Sequence, residues 1–279
     1  MLSVTKVLMI GTLLISTSIY ANSVDDKVIK FEKDRFSKNK RIEIKDISVN
    51  TKKELHIKGW SGFIIDVNAV MAGNPIKVKD IVFSNGDVIA PELYDVNTGD
   101  SLKDLMTPKL DTKYHDKNKL IAGSADAKDK IVIFSDPLCP FCMDYVPDVI
   151  NHVNKNSKDI ALYYYHFPLL QLHPAAKTLV RLMNAAKAEG IKDIELKVYK
   201  ADWDKYFSEK EKNTQKIIDG FNKEFNTSIT FMDINNKKMT DEILHDVSMG
   251  EEAMVQGTPT IFINGEKDKS KLKYETLGK

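Results

Sequence analysis

The sequence predicts an α+β protein in which a small antiparallel-sheet domain precedes a larger domain of mixed strands and helices. Three observations carry that expectation. Short alternating segments before residue 100 include an Asn85-Gly86 pair between apolar runs. The run Ile131-Val132-Ile133-Phe134 leads into Cys139-Pro140-Phe141-Cys142, after which the pattern turns helical. Further on, Gly257-Thr258-Pro259-Thr260 breaks a helical pattern before the apolar run Ile261-Phe262-Ile263.

The first residues are expected to lie outside the fold. Lys6 precedes an apolar run from Val7 to Ile15, followed by Ser16-Thr17-Ser18-Ile19-Tyr20-Ala21. A basic start, a short apolar stretch and small residues describe a secretory signal peptide over 1–21, cleaved after Ala21. The run is shorter than the about twenty apolar residues that a membrane span takes.

Next, sparse apolar positions in a charged stretch (Val28, Ile29, Phe31, Phe36) fit a short amphipathic helix. Alternation at 41–45 and 54–58, and the more apolar 62–71, read as strands. Segments 77–83 and 87–90 flank Ser84-Asn85-Gly86, and an Asn-Gly pair signals a hairpin because both positions tolerate positive φ. Residues 24–100 are therefore expected to form an N-terminal sheet domain. It holds no cysteine and no cluster of catalytic residue types. Residues 101–118 are polar, lysine-rich and interrupted by Pro108, which fits either a connecting helix pair or a linker.

The second domain is expected over 119–279. A strand at 130–135 runs into the cysteine motif and a helix over 139–154, followed by a strand at 160–166. Residues 173–189 read as a helix with Ala175, Ala176, Leu179, Val180 and Met183 on one face, and further helices follow through Phe225. Thr240 is expected to cap a helix whose first turn carries Asp241 and Glu242. Asn264-Gly265 then turns the chain back after the strand at 261–263.

Composition narrows the function. Lysine and arginine total 41 against 40 acidic residues, so the net charge is +1 and nothing points to nucleic acid as a partner. The two cysteines are Cys139 and Cys142. A bridge across two residues closes almost no loop and so restrains the unfolded chain little. Redox chemistry explains the pair better than stability does. At a strand–loop–helix junction, the free N–H groups and dipole of the helix start favour a thiolate. Cys139 is then the exposed nucleophile that forms a mixed disulfide with a client, and Cys142 the resolving thiol that frees it. Pro140 suits the first helical turn and Phe141 adds an apolar rim, so both are candidate client-binding residues. Zinc sites use the same C-x-x-C spacing, but a closed site takes four ligands. The chain has no second cysteine pair, and His166 and His173 lack ligand spacing to the motif, so neither a metal nor a cofactor is expected. Pro259 is expected to be a cis-proline that completes the site together with Thr258.

The run from Phe134 to Cys142, with Thr258-Pro259 near the end, resembles the periplasmic thiol–disulfide interchange proteins, in particular the DsbC/DsbG type. The resemblance is specific around those two motifs and weaker over 173–225. It implies a thioredoxin-like catalytic domain with a helical insertion, a linker and a cystatin-like N-terminal dimerisation domain. Thr258 before the proline favours that branch, since oxidases of the DsbA kind typically carry valine there. Ile133 stands six residues before Cys139, where thioredoxin and DsbA-type proteins carry a buried acid. Asp136 lies instead in the loop, as a turn or cap residue or in proton transfer. Pro140-Phe141 departs from the Gly-aromatic pair of the isomerases and is closer to DsbG or an oxidase. The resemblance thus implies a periplasmic homodimer, a disulfide isomerase or reductase, acting on misfolded, cysteine-containing exported proteins and served by a membrane thiol redox partner. The alternatives are a disulfide oxidase of the DsbA kind and, from another class, a chaperone that holds unfolded clients.

Overall fold

The computed structural model describes residues 23–71 and 73–278, and the signal-peptide segment 1–21 lies outside them. The chain divides into two compact units, 1–93 and 94–279.

The first unit opens with α1 (Val24–Ser37), whose start is fixed by a capping box between Ser23 and Asp26. Four strands follow: β1 (Ile42–Glu54), β2 (Ser61–Met71), β3 (Asn74–Ser84) and β4 (Ile89–Ala90). They pair antiparallel in chain order. Phe63, Ile65, Val67, Ala69 and Val82 bury one face of the sheet, joined by Ile47 of β1 and Val28 of α1. Two expectations are corrected here. The segment 54–58 is not a strand: β1 runs on to Glu54, and the chain reverses through Gly59 at φ +80°, closed by the Leu55 N–H on the Trp60 carbonyl. The Asn85-Gly86 hairpin is present, but only Gly86 has positive φ. Asn85 acts through its side chain, whose oxygen accepts from the N–H groups of Asp87 and Val88.

The second unit starts ahead of the expected boundary. Residues 102–119 are neither a helix pair nor a free linker but three short 3₁₀ turns. Leu110 and Tyr114 explain this, because both pack into the core of the second unit. The strands β5 (Leu120–Gly123), β6 (Asp129–Ser135) and β7 (Ile160–His166), with β8 (Thr260–Ile263) and β9 (Glu266–Lys267), form one sheet in the order β5-β7-β6-β8-β9. Only β6 and β7 run parallel, joined by the crossover helix α2 (Pro140–Lys155). Ile131, Val132, Ile133 and Phe134 are all buried because both faces of β6 are covered. Ile131 and Ile133 face α2 with Val146, Val149 and Ile150, whereas Val132 and Phe134 face Met249 and Ala253.

Between β7 and β8 the chain inserts α3 (Ala176–Ala188), α4 (Ile194–Lys200), α5 (Thr214–Phe225), α6 (Phe231–Ile234) and α7 (Lys237–Glu252). Leu179, Leu182, Met183, Trp203 and Phe221 build a separate core there, and Trp203 stacks on Phe221 at 6.1 Å. Thr240 does not cap α7. Asn236 does, its side chain accepting from the Met239 N–H, while Thr240 sits one turn inside and donates its hydroxyl to the Asn236 carbonyl. Asp241 and Glu242 are therefore past the first turn. Asn264 and Gly265 both adopt positive φ, 51° and 85°, in the two-residue turn between β8 and β9.

Candidate active site

The motif sits where β6 ends and α2 begins. Cys139 is the N-cap of α2 with extended backbone (φ −76°, ψ 122°), and Pro140 takes the first helical position, where its missing N–H costs nothing. The Cys139 carbonyl accepts from the Cys142 N–H at 2.9 Å and the Met143 N–H at 3.0 Å, so Cys142 lies one turn in, on the buried side. Both sulfurs are free thiols. Cys142 is 0% exposed and Cys139 only 5%. Cys139 is thus more covered than an exposed nucleophile was expected to be, because its sulfur lies against Thr258. Phe141 stands 74% exposed beside it, and Pro140 is exposed as well.

Thr258 comes from the other end of the domain. In its thiol form, Cys139 Sγ donates to the Thr258 carbonyl at 3.5 Å, across 119 residues of chain. The Thr258–Pro259 bond is cis, and Pro259 is buried. Thr258 Oγ1 is buried without a hydrogen-bond partner of its own, and its contact with the Cys139 sulfur favours the thiolate. The carbonyl contact serves the thiol and the hydroxyl serves the anion, so Thr258 can follow the sulfur through both states.

The two thiols are pushed in opposite directions. Hydrogen bonding from the Cys142 side chain, with help from the backbone N–H groups of Cys142 and Phe141 and from Thr258, outweighs burial and lowers Cys139 to about 5. Burial first, and then donation to Cys139, pushes Cys142 up. At neutral pH one sulfur is a thiolate and its neighbour holds the proton. Such an asymmetric pair can attack a disulfide with the first sulfur and resolve the adduct with the second.

Behind the motif stand residues that the sequence reading named, Asp136 and His166, and two tyrosines that it did not. Asp136 is fully buried, its Oδ1 accepting from the Leu138 N–H at 2.9 Å and its Oδ2 from the Leu169 N–H at 2.7 Å and His173 Nδ1 at 2.9 Å. It ties the cysteine loop to the 167–173 loop, which is the work of a turn-capping residue. His166 Nε2 pairs with Asn184 Oδ1 at 3.1 Å, and burial, with Lys119 nearby, lowers its pKa to about 3, so it is neutral around pH 7. Ser135, Tyr199 and Tyr164 form a buried hydroxyl line behind Cys142, with Tyr199 donating to Ser135 at 2.7 Å and the two phenols 2.8 Å apart. Ser135 is adjacent to the motif in sequence, but the two tyrosines share no pattern with it.

A family model described as thioredoxin matches residues 115–279. Among curated proteins none matches the chain. Similar solved structures include a putative protein-disulfide isomerase from Pseudomonas syringae, 14% identical, covering 56% of this chain and 90% of its own, with a TM-score of 0.47. BdbD from Bacillus subtilis in its oxidised form is 18% identical, covering 61% of this chain and 91% of its own, also with a TM-score of 0.47. The thiol–disulfide exchange protein alpha-DsbA2 from Wolbachia pipientis is 19% identical, covering 63% and 97%, with a TM-score of 0.45.

Proposed function

The chain belongs to the thioredoxin family and is a thiol–disulfide oxidoreductase, and from that premise we propose that it is an exported disulfide isomerase or reductase in which Cys139 attacks and Cys142 resolves. The observation that carries this reading is the opposed protonation of the two sulfurs, a Cys139 thiolate at about 5 beside a buried, protonated Cys142.

The first step is a sulfur substitution that exchanges one disulfide for another, and the two-electron reduction of a client is complete only when a second thiolate resolves the adduct. The Cys139 thiolate attacks one sulfur of a client disulfide, the client S–S bond breaks, and the other client sulfur leaves as thiolate. In an isomerase that freed thiolate attacks another client disulfide, and the client thiolate set free there attacks the mixed disulfide and releases Cys139 as a thiolate. In a reductase Cys142 displaces the client and leaves a Cys139–Cys142 disulfide, which a membrane thiol donor reduces. A thiol near 5 lies between the about 7 of thioredoxin and the about 3.5 of DsbA. Their potentials of about −270 and −120 mV bracket protein disulfide isomerase at about −180 mV. The reduction potential of the pair, read by equilibration with a glutathione redox buffer, decides between exchange in both directions and one-way oxidation.

Thr258, Pro259, Pro140 and Phe141 are assigned to the client. An extended chain laid over the exposed Phe141 and Pro140 would meet the backbone of Thr258, as an added strand does. The N-terminal unit is assigned to dimerisation: among the described residues no strand pairs with the outer side of its 13-residue edge strand β1, the side a second copy would take. Cys142→Ser is expected to accumulate mixed disulfides with cysteine-containing clients, and Cys139→Ser to form none. Trapping by Cys139→Ser alone would reverse the roles. The resting state of the pair in acid-quenched cells decides direction: largely reduced supports isomerase or reductase, and largely oxidised assigns the oxidase instead. Client holding that survives loss of both cysteines would assign a chaperone.

A further inference from the structure

The Cys139 thiolate is accounted for above, but the proton on Cys142 is not. Cys142 is fully buried. While Cys139 is a thiolate, it accepts the Cys142 S–H; once Cys139 is bound to a client, that negative charge is gone. Cys142 must then lose its proton before its sulfur can attack. Burial holds the proton in place.

Behind Cys142 stands a line of hydroxyls leading away from the client side. Ser135 Oγ, at the end of β6, faces the Cys142 sulfur. Tyr199 Oη of α4 donates to Ser135 Oγ at 2.7 Å, and Tyr164 Oη of β7 is 2.8 Å from Tyr199 Oη. Ser135 is 0%, Tyr199 3% and Tyr164 2% exposed, so bulk water does not reach along the line. Tyr164 also lines a cleft of about 660 Å³ shared with His166, Asn184, Lys187 and Glu195. We infer that Ser135, Tyr199 and Tyr164 form a proton relay that connects the buried Cys142 thiol to this cleft during disulfide resolution.

A hydroxyl donates one hydrogen and accepts others, so a line of them conducts by reversing its polarity. In the reduced site the line donates towards sulfur: Tyr164 to Tyr199, Tyr199 to Ser135, and Ser135 to Cys142. During resolution each donor becomes an acceptor. The Cys142 proton passes to Ser135 Oγ as Ser135 passes its own to Tyr199, Tyr199 to Tyr164, and Tyr164 to water in the cleft. The bared Cys142 sulfur attacks Cys139 Sγ, the Cys139–client bond breaks, and the client sulfur leaves with the electron pair and takes up a proton. Electrons and protons balance without an added oxidant. Burial pushes both phenols well above their ordinary value, so the proton crosses in one concerted shift and does not rest as a phenolate.

The ionisable groups around the line come from every element packed on it. Cys139 lies at the start of α2. Asp136, in the loop before it, is engaged by Leu138, Leu169 and His173. Glu195 of α4 pairs with Lys187 of α3 at 3.0 Å by the cleft. His166 of β7 lies edge-on to Tyr164 at 5.0 Å, and Lys119 lines the same cleft.

The relay rests on the exchange reading above, and one experiment separates the two. Reduced full-length protein is mixed with oxidised glutathione, and the Cys139–glutathione mixed disulfide is quenched and quantified by mass over time across a pH series. The first step, its formation, tests the exchange reading; its decay tests the relay. Tyr199→Phe and Tyr164→Phe should leave formation unchanged, which also shows the site is folded, and slow decay about tenfold or more near neutral pH. The deficit should close in alkali, where hydroxide deprotonates Cys142 directly. Ser135→Ala should behave like them and Ser135→Thr like wild type. Decay at the wild-type rate in both phenylalanine variants, or slowed equally at every pH, overturns the relay and leaves the exchange reading standing. Wild-type protein that never forms the mixed disulfide overturns both.

Discussion

Removing the Cys142 side chain should return much of the proton to Cys139, because the Cys142 hydrogen bond is the largest cause of the low Cys139 pKa. A hydrogen bond to a charged group is worth about 1.5–3 kcal/mol, and each pKa unit corresponds to about 1.4 kcal/mol. Cys142→Ala should therefore raise Cys139 from about 5 by about one to two units. At about pH 6 the thiolate fraction would fall from about nine-tenths to about a quarter for a rise of about 1.5 units. Cys142→Ser is the control. Its hydroxyl can still donate, so it should stay nearer the wild-type value. The assay is thiolate absorbance near 240 nm, or the iodoacetamide alkylation rate, followed against pH on the reduced protein. An alanine variant that titrates with the wild-type protein would refute the assignment, and would move the cause to the helix start and the N–H groups of Cys142 and Phe141.

The other expectations follow from the same packing. Because Cys139 is depressed in the folded state, the unfolded chain holds the extra proton between about pH 5 and pH 9. Reduced protein should therefore gain stability as pH rises through that window and lose it as pH falls towards 5; in urea melts at several pH values, Cys139→Ala should lack that part of the slope. Asp136→Asn places an NH₂ where an oxygen now accepts from Leu138 or from Leu169 and His173. It should cost about 1–3 kcal/mol in denaturant unfolding, and loss of activity without that cost would give Asp136 a chemical role. Gly250→Ala puts a Cβ 2.4 Å from the Phe167 ring, and about 1–3 kcal/mol of overpacking should appear in the same assay. Deleting 24–93 should yield a monomer that still exchanges disulfides but isomerises poorly, and a full-length protein that sediments as a monomer would remove the dimer assignment.

What could be read from the chain depended on whether periodicity survived in it. The strand before the cysteines was legible because both faces of β6 are covered, leaving an unbroken apolar run. The α2 start was legible because Pro140 fits only a first turn, and the β8–β9 turn because Asn264-Gly265 both take positive φ. β1 was misread for a physical reason. Its register slips at Ile44/Asp46 and again at Val49/Thr51, so the two-residue alternation breaks and the charged stretch up to Glu54 no longer resembles a strand. At α7 two polar residues one turn apart, Asn236 and Thr240, could each have capped the helix.

The same division runs through the site. Most of the forces on Cys139 are local, from the helix start, Cys142 and its neighbours' N–H groups, so four consecutive residues were enough to point to a thiolate; Thr258 is the distant contributor. Thr258 was reachable only because a proline before an apolar strand is itself a short pattern. The control of Cys142 is spread over Ser135, Tyr164 and Tyr199, with separations of 64 residues between Ser135 and Tyr199 and 35 between the tyrosines. No spacing rule joins them, because β6, β7 and α4 meet only after folding. The two halves of the chemistry are therefore separately adjustable. Changes at Pro140 or Phe141 act on the thiolate that attacks, whereas changes along the hydroxyl line act on the proton that must leave before resolution. A Pro140→Gly variant should accordingly shift the Cys139 titration while keeping the wild-type pH dependence of mixed-disulfide decay, and Tyr199→Phe should do the reverse. If both variants moved both readouts together, the sulfurs would be governed by one coupled environment and the separation argued here would fail.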